Sequence, residues 1–166
     1  MRFEKQVAIQ ASRTVVWDCL WDITRLASCV PGCQTAATVE PYVHYQATVQ
    51  ETVGPFRVKV PLDIDILERQ SPARLRARAH GRDGVVQSHV KVELALTLTE
   101  VDPQHTALQV QADVVVLGKL GTLGHSVIVR KGEDIVAQFA TALQAELQQE
   151  GPPRRPSADA VAEERG

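Results

Sequence analysis

The sequence predicts an α+β domain: a curved antiparallel sheet of about seven strands, two short helices after the first strand, and one long C-terminal helix lying across the sheet. Three observations lead there. Residues 56–66 alternate without a break, with Phe56, Val58, Val60, Leu62, Ile64 and Ile66 apolar and charged residues or Pro61 between them. A period of two over that length is a strand with one dry and one wet face. Shorter runs at 45–49, 75–79, 90–98 and 108–116 repeat the pattern. Only the run from about residue 117 to 150 is long enough to cover the apolar face they would form, and a sheet with one apolar face needs a cover.

The elements follow in order. Residues 2–10 read as the first strand, with Phe3, Val7 and Ile9 on one side. Ser12 is a good N-cap for a short helix through Leu20, and residues 21–28 read as a second, ended by Pro31-Gly32. Residues 34–40 form a short strand that stops at Pro41. A tight connection through Val53-Gly54-Pro55 pairs residues whose numbers sum to about 107, which puts Tyr45, Ala47 and Val49 on the same face as the even-numbered apolar set. The next turn, near 69–72, pairs residues summing to about 141, so that Ile64 faces Ala77 while Asp63 and Asp65 face Arg78 and Arg76. The turn at 102–105 sets Leu96 against Val110 and Leu94 against Ala112, but also Glu93 against Asp113, a like-charge pair that hints at a slipped register. A one-residue slip inverts a strand, so hairpins that agree on one inner face support the sheet. The last helix carries Leu120, Leu123, Val127, Ile135, Phe139, Leu143 and Leu147 at helical spacing, with Lys131 where an apolar residue belongs. Residues 1–150 are read as one domain, and the proline-rich, polar stretch 151–166 as a disordered tail.

At 166 residues the chain is long enough to bury a core without staples, since a domain of this size hides roughly 70% of its unfolded surface. A net charge of −2 speaks against general nucleic-acid affinity. No apolar run reaches the ~18 residues of a membrane span, and the start lacks an apolar leader, so a cytoplasmic protein is expected.

Each chemical motif has a plain structural reading beside it. Cys29 and Cys33 have a spacing that zinc sites permit, but no second Cys/His pair follows, so a packed turn and no metal are expected. Arg74, Arg76, Arg78 and Arg82 form a basic row without interleaved aromatics, which fits a solvated sheet face and no nucleic acid. The stretch Gly118-Lys119-Leu120-Gly121-Thr122-Leu123-Gly124 lacks the P-loop order, and its glycines suit a close approach of helix to sheet. No nucleophile elbow occurs, so no catalytic residue and no cofactor is assigned. Lys131 is the outlier, a lysine either snorkelling to water or contacting a ligand.

Together these pieces resemble the helix-grip pattern of the START/polyketide-cyclase-like (SRPBCC) superfamily. More narrowly, the chain resembles the CoxG family, named for an accessory component of carbon monoxide dehydrogenase. The residues that carry the likeness are Val16-Trp17-Asp18, Cys29-Val30-Pro31-Gly32-Cys33, Val53-Gly54-Pro55, Leu117 to Gly124, and Phe139 with Leu143, over about residues 1–148. The resemblance implies a non-catalytic accessory protein of a molybdenum-containing dehydrogenase, linked to membrane attachment of that enzyme, with a cavity suited to a quinone or lipid. Many members carry an apolar or amphipathic C-terminal anchor. Here the tail from Gly151 is short and polar, which leaves at most peripheral contact with the inner membrane face.

The expected function is therefore binding of a hydrophobic small molecule between sheet and helix. Trp17, Tyr45, Leu62, Ala77, Leu94, Ala112, Val127, Lys131 and Phe139 are expected to line the site. Small inward residues, Ala47, Ala77, Ala79 and Ala112, leave room there, although a solid core of the same residues is the plain alternative. Two rivals stay open: a cyclase or hydrolase using Tyr45, Lys131 and Asp134 in the same space, and a solid-core adaptor that meets a molybdenum hydroxylase.

Overall fold

The computed structural model describes residues 1–150 of the chain, with side chains through Gln148; the tail expected at 151–166 lies outside them. Seven strands form one antiparallel sheet in the order β1-β7-β6-β5-β4-β3-β2. They are β1 (Arg2–Ile9), β2 (Cys33–Glu40), β3 (His44–Val53), β4 (Phe56–Gln70), β5 (Arg74–Asp83), β6 (Ser88–Asp102) and β7 (His105–Gly118). Two helices, α1 (Arg13–Trp21) and α2 (Ile23–Cys29), follow β1, and α3 (His125–Glu150) ends the described chain. Two buried clusters lie between the sheet and the helices.

The junctions have local causes. Ser12 caps α1 by accepting the Val15 N–H at 3.2 Å, and Asp22 caps α2 by accepting the Arg25 N–H at 3.3 Å. A side-chain oxygen at that position satisfies a donor the helix cannot. The β3–β4 hairpin closes on Gly54-Pro55 alone, with Gly54 at φ +58°, so Tyr45 pairs with Ile64 and the sum is two larger than expected. The shift is even, and the inner face is preserved. The β4–β5 pairing is displaced in the same way: Ile64 meets Ala79, Ile66 meets Ala77, and Asp65 meets Arg78. A bulge between Ile66 and Glu68 then brings Glu68 opposite Arg76. The charge pairing across this face survives with different partners. Glu68 lies 3.5 Å from Arg76 and 4.0 Å from Arg74, and Glu93 lies 3.6 Å from Arg78.

The β6–β7 register is the expected one, Glu93 against Asp113 included. The repulsion is relieved from both sides rather than by a slip. Arg2 from the edge strand β1 grips Asp113 with two bonds of 2.9 and 3.1 Å, and this guanidinium holds the Asp113 carboxyl below the usual range. Arg78 offsets the charge of Glu93 in the same way, at 3.6 Å.

The end of the chain departs from expectation. Strand β7 runs on to Gly118, and residues Lys119–Leu123 make a 3-10 turn. Gly124, at φ +93°, separates that turn from α3. Leu120 and Leu123 therefore do not share a helix with Val127. The Leu120 N–H is anchored by Ser88 Oγ at 2.8 Å, and Gly118 is pressed so close to Gln87 that a Cβ would lie 2.1 Å from its carbonyl oxygen. The 26 residues of α3 span about 39 Å, enough to cross the sheet.

Candidate functional site

The two clusters divide the concave space. Near the start of α3, Val53, Val58, Val60, Val86, Leu120 and Ile128 form one buried cluster, and Leu62 and Val127 pack against them. Toward the other end a cavity of about 300 Å³ remains. Its floor is the sheet (Tyr45, Ile64, Ile66, Leu75, Ala77, Leu94, Leu96 and Val110), and its roof is Ile135, Val136 and Phe139 of α3. Leu20, Trp21, Ile23, Leu26 and Val30, from α1, α2 and the turn after it, close the side. Of the four small inward residues expected to leave room, Ala77 lies buried on this floor, while Ala47, Ala79 and Ala112 do not line the cavity. The volume lies at the lower bound of small-molecule sites, typically ~300–1,000 Å³.

Four of the nine expected lining residues are there: Tyr45, Ala77, Leu94 and Phe139. Five are not. Trp17, one helical turn before Trp21, is buried in the core and borders the surface groove described below rather than the cavity. Leu62 and Val127 belong to the filled end. Ala112 is buried opposite Phe3 of β1. Lys131 reaches away to an ion pair with Glu51 of β3, with both side chains about a quarter exposed. Its place in the apolar stripe thus reflects a tie between helix and sheet, not a polar group in the cavity. Asp134 is exposed and borders a cleft between α3 and the β1 edge of the sheet, with Arg2, Lys5 and Glu133.

The residue that periodicity missed is Trp21. Read as the start of the second helix, it is the last residue of α1, so it falls on the same face as Trp17 four positions earlier. The two indoles meet edge to face at 5.7 Å. Trp21 also packs edge to face on Tyr42 at 5.0 Å and lies 6.4 Å from the Tyr45 ring. The Arg69 guanidinium covers the Tyr42 ring at 4.2 Å. On its far side Trp21 walls a polar surface groove with Asp18, Asp22, Tyr42, Arg69 and Ser71. The indole is thus a partition between the groove and the cavity.

The cavity wall is almost wholly apolar, and of its lining residues Trp21 and Tyr45 alone carry a polar side-chain atom. The Tyr45 hydroxyl accepts the Tyr42 N–H at 2.8 Å, and Trp21 Nε1 is buried without an acceptor among the described residues. Among the described residues no group of three or more His, Cys, Asp or Glu is placed to hold a metal. The cysteines are free thiols: burial pushes Cys19 up to about 11, and Cys29 and Cys33 are raised for the same reason.

The model of the CoxG family, the G component of carbon monoxide dehydrogenase, matches residues 6–148. The chain belongs to that family. Solved structures place this CoxG family member in the START-like helix-grip fold. A conserved protein from Geobacillus kaustophilus has a TM-score of 0.83 at 19% identity, over 90% of this chain and 97% of that one. A START superfamily protein from Mycobacterium smegmatis has a TM-score of 0.73 at 15% identity, over 89% and 97%. The Zhui aromatase/cyclase from Streptomyces sp. R1128 has a TM-score of 0.69 at 16% identity, over 90% and 94%. At these identities the likeness is one of fold. No curated protein matches the chain in sequence. No helix among the described residues is long and apolar enough to cross a membrane.

Proposed function

We propose that this CoxG family protein binds a hydrophobic small molecule, a quinone or a lipid, between sheet and helix. In this reading it serves as a non-catalytic accessory to a molybdenum-containing dehydrogenase of the carbon monoxide dehydrogenase type. The observation that carries the reading is the cavity itself: about 300 Å³, with a wall that is aliphatic or aromatic throughout. Burying apolar ligand surface there returns about 25 cal/mol for each Å² removed from water. The same wall speaks against a hydrolase or cyclase. General acid–base work needs a titratable group within hydrogen-bond reach of the reacting atom. Lys131 is held by Glu51, Asp134 borders a cleft between α3 and the β1 edge, and Tyr45, the one candidate in the wall, has its hydroxyl engaged by the Tyr42 N–H. The family supports the accessory role and the choice of partner enzyme. Any contact with a membrane is at most peripheral on this reading.

Thermal unfolding with a panel of quinones and fatty acids tests the binding. A ligand at a hundredfold excess over its Kd adds about 2.7 kcal/mol, a rise in Tm of roughly 5–10 °C. A folded protein whose Tm is unmoved by every member of the panel refutes the binding role. Co-purification with a molybdenum hydroxylase tests the partner separately.

A further inference from the structure

We propose that the cavity takes its ligand chain first: a hydrocarbon end of up to about twelve carbons is buried, and the polar head stays in solvent. The ligand is a single-chain amphiphile, selected by the length of its chain and not by its head. The inference rests on the binding role above and deepens it.

Three observations lead there. The first is the lining, whose surface is almost wholly apolar. Trp21 and Tyr45 alone carry polar side-chain atoms, and neither atom is on offer. The Trp21 indole N–H is covered, and the Tyr45 hydroxyl is engaged by the Tyr42 N–H in a residue only 6% exposed. A carbonyl, hydroxyl or carboxylate carried into this space loses its water and finds no partner, and the loss is greatest for an ion. A chain end suffers no such loss and gains from burial. The second is access. The cavity is not sealed but opens to solvent, so a head can stay hydrated while its chain is buried. The third is size. A dry cavity of about 150 Å³ holds a six-carbon ring, so one of about 300 Å³ takes roughly twice as many carbons.

The same reasoning sorts the ligand classes. A bare quinone ring would set two carbonyl oxygens against a wall that gives them no donor. A quinone bearing an alkyl or isoprenoid chain enters by that chain, as a lipid does. Its ring then remains at the mouth, within reach of a partner protein.

Isothermal titration of the full chain with hexanoate, octanoate, decanoate, dodecanoate and hexadecanoate, each below its critical micelle concentration, reads the chain length. Affinity should rise about three- to fourfold per methylene through decanoate and level off near dodecanoate. A rise that keeps the same pace to hexadecanoate overturns the inference and leaves the binding role standing. Ala77→Leu adds three carbons to the floor and should bring the plateau in by about three methylenes. A plateau unmoved in the folded variant puts the chain elsewhere and overturns it as well. The head is tested with decanoate, decanol, decyltrimethylammonium and decylubiquinone, which should bind within about tenfold of one another. A wider spread places the head inside and overturns the orientation. Within that range, the tighter of decanoate and decylubiquinone tells a lipid from a quinone. The same quinone ring without its decyl chain should bind at least about a hundredfold more weakly, and equal binding of the two overturns the proposal. Binding of none of these molecules to the folded wild type overturns the binding role too.

Discussion

The tip of the Phe3 ring in β1 sits against Gly132 in α3, where an added Cβ would stand 2.5 Å from Cε1 and Cζ. A glycine in mid-helix ordinarily costs about 0.5–1 kcal/mol relative to alanine. Here it lets the edge strand and the helix close on each other.

Gly132→Ala should therefore destabilise the protein despite its better helix propensity. Overpacking costs about 1–3 kcal/mol against that smaller gain, for a net loss of about 1–2 kcal/mol and a fall in Tm of roughly 2–8 °C. Adding Phe3→Leu should recover part of the loss. Thermal unfolding of the single and double variants checks this, and a Gly132→Ala protein more stable than wild type would contradict it.

Asp83, 4% exposed, accepts the N–H groups of Val86 at 2.9 Å, Lys59 at 2.7 Å and Val85 at 2.8 Å, and so fixes the β5–β6 turn against β4. These bonds, that from Val86 foremost, hold its carboxyl below the usual range. A depressed folded-state pKa adds stability above the unfolded value of about 3.9, and that stability is lost as pH falls through the folded value. Asp83→Asn should cost about 2–3 kcal/mol at pH 6. Urea midpoints should bring the variant and wild type closer together below about pH 4. A gap that stays constant down to pH 3 would exclude the ionised carboxylate as its cause.

The Lys131–Glu51 pair predicts a separation of stability from binding. Lys131→Met strips the partner from a mostly covered carboxylate, at a cost of about 1–2 kcal/mol, between the values for exposed and buried pairs. Ligand affinity should stay within twofold, because neither residue lines the cavity. A large loss of affinity in a folded Lys131→Met protein would return the lysine to the site.

Filling the cavity gives the converse. Ala77→Trp places an indole on the floor between Leu94 and Ile66, its cross-strand neighbours. The ligand-induced rise in Tm should vanish while circular dichroism reports an intact fold.

Thiol reactivity offers an independent check on burial. Cys33 is partly exposed, whereas Cys19 is fully buried and pushed up to about 11. A thiol reagent at pH 8 should label Cys33 first and reach Cys19 only on unfolding. Equal rates would mean that α1 opens readily.

The sequence by itself determined the one-sided sheet, the strand order implied by its hairpins and the helix that covers it. Alternation is a local property: it survives two-residue slips such as Tyr45 onto Ile64, because the period of a strand is two. It also named Tyr45, Ala77, Leu94 and Phe139, whose inward direction parity or helical spacing settles. Where the space lies along the helix was decided only in three dimensions. The inward residues Leu62 and Ile64 are alike in sequence, yet one packs into the filled end and the other lines the cavity. That difference depends on what α3, α1 and the 3-10 turn bring opposite each, and such contacts join residues far apart in the chain. Lys131 and Trp21 make the same point: periodicity marked the first as odd and passed over the second, and their roles come from Glu51, Tyr42 and Tyr45, which only folding sets beside them.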